Sequence, residues 1–153
     1  MSDKHISATS VRHRGFTLIE LMIVVVIASI LVGIAVPSYT SQVRKSRRTD
    51  ARNALMDIAS REERYLSVSN SYSATPSDVG YSGAWPQTLL DGYYIVNVAV
   101  NAPGAANSFL ITATTTGIQV SDTDCATFTV NQQGVQTAAN SAAVANTATC
   151  WGN

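Results

Sequence analysis

Histidine is almost absent from this chain of 153 residues: His5 and His13 are the two it has. The commonest general base and metal ligand is therefore missing from everything after residue 13. No glycine-rich phosphate loop and no cluster with metal-ligand spacing takes its place. An enzyme is not expected, and no catalytic residue, metal or cofactor is assigned. Positive charge is also missing over more than half of the chain. No Lys or Arg occurs from Tyr65 to Asn153, where Asp78, Asp91, Asp122 and Asp124 remain. Phosphate recognition needs cations, so no nucleic-acid partner is expected for that region. Asp122 and Asp124 are too few ligands to argue for calcium and read as a solvated turn.

Charged residues make up 13% of the chain, about half the ordinary share. The 10 basic and 10 acidic residues cancel, but they are segregated. Lys4, Arg12 and Arg14 come first, and the other basic residues lie between Arg44 and Arg64. Between these groups, Phe16 to Val36 reads FTLIELMIVVVIASILVGIAV, with Glu20 its one charge. As a helix this stretch would be about 31 Å long, enough to cross a bilayer core. The basic residues ahead of it favour a cytoplasmic N-terminus. Arg44, Lys45, Arg47 and Arg48 behind it weaken that vote.

A carboxylate in hydrocarbon costs about 2.5–3.5 kcal/mol or more, so Glu20 needs a partner. Two are open. Thr17 and Glu20 have the spacing of a capping box, which would satisfy amides within one chain. Alternatively, a chain cut after Gly15 gains an amine on Phe16, a cation at neutral pH. In an apolar surround, that amine on one subunit and Glu20 on its neighbour attract more strongly than in water.

An ordinary secretory signal is cut after a shorter apolar stretch. Here the run Arg14-Gly15-Phe16-Thr17-Leu18-Ile19-Glu20 places the processing signal before it. This resembles the class III leader of the type IV pilin family. The resemblance implies that residues 1–15 are a leader removed after Gly15, that Phe16 is then N-methylated, and that Glu20 acts in assembly. Residues 16–36 become the transmembrane and filament-core half of a long helix.

Pro37 follows, with Gly33 one turn earlier. A proline inside a helix removes a backbone bond and kinks it. Helical periodicity resumes beyond, so a kink is expected rather than an end. Ala51, Ala54, Leu55, Ile58, Tyr65 and Leu66 share one face of an amphipathic half over 37–70. Arg44, Arg47, Arg48 and Arg52 lie off that face, towards neighbouring subunits, lipid head groups or solvent. Residues 42–51 and 61–65 resemble PilE-type minor pilins of type IVa systems. Many of those carry a second proline about where Asp57 stands here.

Residues 71–92 show no helical or strand period and read as a connecting loop, the αβ-loop of the family, anchored by Tyr72, Tyr81 and Trp85. Strand signals follow at 93–100, 108–115, 125–131 and 135–137, with turns at 102–104 and 131–134. The fold class is α+β: a long N-terminal helix packed on an antiparallel sheet of about four strands over 93–153. Cys125 and Cys150, beyond a membrane segment, read as one disulfide, with two buried thiols the alternative. The pattern Cys-x-x-Phe…Gly…Cys-Trp resembles the disulfide-closed D-region of pilins, here 125–150. Such a bond stabilises by roughly 3–4 kcal/mol and would hold a tail that has little to pack.

The resemblance implies a structural subunit, a minor pilin, supporting pilus biogenesis, twitching motility and adhesion. Its implied partners are other pilin subunits, the prepilin peptidase, an inner-membrane assembly platform and membrane lipid. It would be a single-pass inner-membrane protein with a periplasmic C-terminal domain, and extracellular once assembled. A major pilin, a type II secretion pseudopilin and a DNA-uptake pilin are the alternatives.

Overall fold

A computed structural model describes residues 15–101 and 107–152. The leader ahead of Gly15 and the turn expected at 102–104 lie outside the described residues. The chain divides into two compact units, one ending at Tyr39 and the other beginning at Thr40. Helix α1 (Leu18–Ser69) starts in the first and finishes in the second. It runs through Pro37, which sets aside a helix end at that proline.

The second unit is built on five antiparallel strands in sequential order: β1 (Gln87–Leu89), β2 (Tyr94–Val100), β3 (Phe109–Thr115), β4 (Thr127–Asn131) and β5 (Gln136–Ala139). Alternation decides which way each strand faces. In β2, Tyr94, Val96 and Val98 are buried while Ile95, Asn97 and Ala99 face out. Phe109, Ile111 and Ala113 of β3 and Phe128 and Val130 of β4 continue the same inner face. The helix meets it with Ala51, Leu55, Ile58 and Glu62, spaced four, three and four residues apart. Each fully buried Leu, Ile or Phe here contributes about 1.5–3 kcal/mol.

The sheet has one strand more than the four expected. β1 falls inside the stretch read as loop, and its three residues are too few to show a period. The tail is also more firmly held than its small residues suggest. It ends in a short helix α2 (Thr147–Trp151). The Trp151 ring packs edge-on against Phe128 at 5.9 Å, and its Nε1 donates to the Thr137 carbonyl at 2.9 Å. Cys125 and Cys150 are joined by a disulfide, with Cα atoms 5.6 Å apart.

Two expectations about charge are corrected. Asp122 is not in a solvated turn: its side chain is 1% exposed and takes two hydrogen bonds from Arg48, at 2.6 and 2.5 Å. Asp124, by contrast, is exposed. The basic side of α1 does not simply face outward either. Arg47 lies 3.8 Å above the Tyr93 ring, and Arg52 donates to the Trp151 carbonyl at 2.7 Å. Buried Gln119 joins the group by donating to Asp122 at 3.1 Å and to the Tyr94 hydroxyl at 3.3 Å. Burial of Tyr94, reinforced by the Asp122 charge, pushes its pKa up to about 12. A helical period cannot reveal these partners, because they come from segments 46 to 99 residues away.

Removing one partner of a buried pair strands the other charge. Asp122→Asn should therefore destabilise the second unit by about 3–5 kcal/mol. The denaturant midpoint of the full chain in detergent micelles measures this. An unchanged midpoint would show that Arg48 finds water instead.

Candidate processing and assembly site

Among the described residues, nothing packs on the apolar helix of the first unit. From Leu18 to Tyr39 no side chain is buried, and Phe16 is 84% exposed. The most apolar 18-residue window of α1 has a mean hydropathy of 2.9, long and apolar enough to cross a membrane. Gly15 and Phe16 lie just before the helix, outside any regular secondary structure and exposed. A peptidase needs such unstructured backbone at the bond it cuts.

Thr17 stands at the helix start. Its Oγ1 accepts the Glu20 amide at 3.3 Å, half of a capping box. The reciprocal half, from the Glu20 carboxylate to the Thr17 amide, is not formed. Among the described residues no hydrogen bond or ion pair reaches that carboxylate. Thr17 thus settles a helix amide without engaging the Glu20 carboxyl group. Gly33 has open space around its Cα, and nothing there requires glycine.

The second unit holds a carboxyl group that sequence reasoning passed over. Glu62 is fully buried on the inner face of α1. Its Oε2 accepts the Ser73 amide at 3.1 Å, while Oε1 has no partner. Burial raises its pKa. The Ser73 amide opposes that rise, and the nearby charges of Asp78 and Glu63 add to it. Tyr72, whose hydroxyl donates to Glu63 at 2.9 Å, and Ser73, whose hydroxyl donates to Asp78 at 2.6 Å, close the loop over it. Glu62 sits at the fourth position of an otherwise apolar stripe (51, 55, 58, 62), and that spacing is the signal that could have found it. Among the described residues no group of three or more His, Cys, Asp or Glu comes together to hold a metal.

Residues 37–129 match the family described as "Type IV minor pilin ComP, DNA uptake sequence receptor". Residues 11–36 match the "Prokaryotic N-terminal methylation motif". The first match spans more than half of the chain, and the chain belongs to the type IV pilin family. Type IV major pilin protein PilA of Myxococcus xanthus is 35% identical over 77 residues, which cover 50% of this chain and 35% of that protein. Fimbrial protein EcpC of Eikenella corrodens is 32% identical over 105 residues, 69% of this chain and 65% of that one. The type IV major alpha-pilin of Moraxella bovis is 31% identical over 108 residues, 63% of this chain and 68% of the relative. The chain thus spans 35% and 65% of the length of the first two of these relatives.

A carboxyl whose pKa is raised by folding binds its proton more tightly in the folded chain. Its stabilisation is complete below the ordinary carboxyl range and is lost as pH rises through the raised value. Asp57 runs the other way: burial pushes its pKa up, but hydrogen bonds from Arg61 and Tyr81 leave it lowered on balance. The readout is therefore a difference between two proteins. Glu62→Gln, which keeps the shape and removes the charge, should gain stability relative to wild type as pH is raised from about 4 towards neutral. Denaturant midpoints across that range measure it, and parallel pH profiles for the two proteins would exclude a titrating Glu62.

Proposed function

We propose that the chain is a minor subunit of a type IV pilus, cut between Gly15 and Phe16, methylated on Phe16 and assembled through its apolar helix. The observation that carries this reading is the helix itself. From Phe16 to Val36 it exposes Leu, Ile and Val and holds one acidic residue, Glu20, whose carboxyl group meets no hydrogen bond or ion pair among the described residues. In lipid the apolar side chains are covered and the carboxylate is not. In a filament a neighbouring subunit's Phe16 amine answers it, and only a processed neighbour has that amine. The N-terminus is cytoplasmic and the second unit periplasmic until assembly carries it outside the cell. A prepilin peptidase, an inner-membrane assembly platform, other pilins and lipid are the partners this requires. Pro37, with Gly33 one turn earlier, is where α1 would kink between its two halves.

A DNA-uptake receptor is the second reading, favoured by the match to the ComP family. Charge weighs against it. No cation follows Arg64, and Arg47, Arg48, Arg52 and Arg61 are engaged with Tyr93, Asp122, Trp151 and Asp57. Binding a phosphate backbone through those four would have to break these contacts, which leaves Arg44, Lys45 and Arg64 as the cations without a side-chain bond among the described residues. A major pilin would share every feature named here and differ in abundance.

Glu20→Ala should insert in the membrane as well as wild type yet fail to enter filaments. Sheared pili probed for this subunit, compared with the membrane fraction, test the point. Normal incorporation would remove Glu20 from assembly and leave only the Thr17 cap at that end of the helix.

A further inference from the structure

Away from the apolar half of α1, exposed hydrophobic side chains and unpaired cations come together at the 3-10 turn Gly117–Ser121. Gln119 is its buried peg. Besides its bonds to Asp122 and Tyr94, it donates to the Arg44 carbonyl at 3.5 Å and accepts from Arg47 at 3.4 Å. The Ser121 hydroxyl, donating to the Ile118 carbonyl at 2.8 Å, tightens the turn. With Gln119 facing in, its neighbours Ile118 and Val120 face out, 65% and 58% exposed.

The same bonds hold the turn against residues 44–47 of the helix. Among the described residues, the side chains of Arg44 and Lys45 make no hydrogen bond or ion pair. Arg48 is already neutralised by Asp122. The opposing charge on this side is Asp124, exposed and 4.0 Å from Arg48. Two apolar tips on a turn pegged to the helix backbone at Arg44, with half-buried Arg44 and exposed Lys45 unpaired among the described residues, match a surface with an apolar layer under anionic groups.

We propose that before assembly the turn carrying Ile118 and Val120, flanked by Arg44 and Lys45, seats the second unit on an anionic lipid surface. This rests on the membrane-anchored reading above. Arg44 follows Val36 by only eight residues, which reach at most about 28 Å even when fully extended. The tether keeps the turn near lipid at high effective concentration, so weak contacts suffice. Each cation near an anionic bilayer strengthens association about fivefold. Seating would hold the subunit at the bilayer, and release from it would accompany entry into a filament.

The test uses the full chain in lipid nanodiscs, of phosphatidylcholine alone or mixed with phosphatidylglycerol. Backbone amide exchange is measured over residues 117–121. Exchange should slow about tenfold in the mixed discs, and high salt should reverse it. Arg44→Gln with Lys45→Gln should remove most of the slowing. Ile118→Ser with Val120→Ser, both at exposed positions, should do the same with the disulfide and secondary structure intact. Equal exchange in the two lipids overturns the proposal while leaving the anchor reading standing. Slowing that depends on protein concentration and not on lipid charge also overturns it, and assigns the turn to a second copy of the chain. Failure of the chain to co-elute with either disc removes the anchor reading and the proposal together.

Discussion

Half of a long helix has nothing to lie against among the described residues, and that constraint governs what the chain can do. From Phe16 to Val36 the apolar side chains stand exposed all round. A helix hydrophobic on every side is stable only when something outside it supplies the cover. Lipid and the same helix of other subunits both can. Backbone amides are satisfied along the helix, so the choice turns on the one group that lipid serves badly, the Glu20 carboxylate. Thr17 takes care of the Glu20 amide, and no bond reaches the carboxyl group among the described residues. A cation from outside would tip the balance from lipid to filament, and cutting the chain at Phe16 would create one.

The other half of α1 solves its packing problem within the chain. Ala51, Leu55 and Ile58 close one side of a core whose other side is the alternating inner face of β2, β3 and β4. Around the rim, polar groups fix position. Arg48 reaches Asp122, Gln119 ties Asp122 to Tyr94, and Arg52 holds the Trp151 carbonyl. These contacts bind the helix to segments far along the chain, including the tail that the Cys125–Cys150 bond closes. They engage Arg48 and Arg52, whereas the Arg44 and Lys45 side chains make no hydrogen bond or ion pair among the described residues.

What could be read from residues alone follows from how local each signal is. The apolar run with its single Glu20, and the glycine and phenylalanine before it, are contiguous and were legible at once. So were β2, β3 and β4, where β-branched and aromatic residues alternate over several positions. β1 was not, because three residues make no pattern and its place comes from pairing with β2. Asp122 read as solvated because its partner lies 74 residues away. Glu62 was missed for a related reason. A glutamate in a helix is ordinarily at the surface, and only the loop from Tyr72 to Asp78 makes this one internal. The cover over a residue is a tertiary fact, and sequence periodicity carries only the half that the helix itself supplies.

The central claim is that processing makes the group that Glu20 needs. Mass spectrometry of the N-terminal peptide, taken from filaments and from the membrane fraction, tests it most directly. Filament-borne protein should begin at Phe16 with one methyl on its amine, and any chain still carrying residues 1–15 should be confined to the membrane. Filaments containing subunits with the leader intact, or beginning anywhere beyond Glu20, would contradict the account.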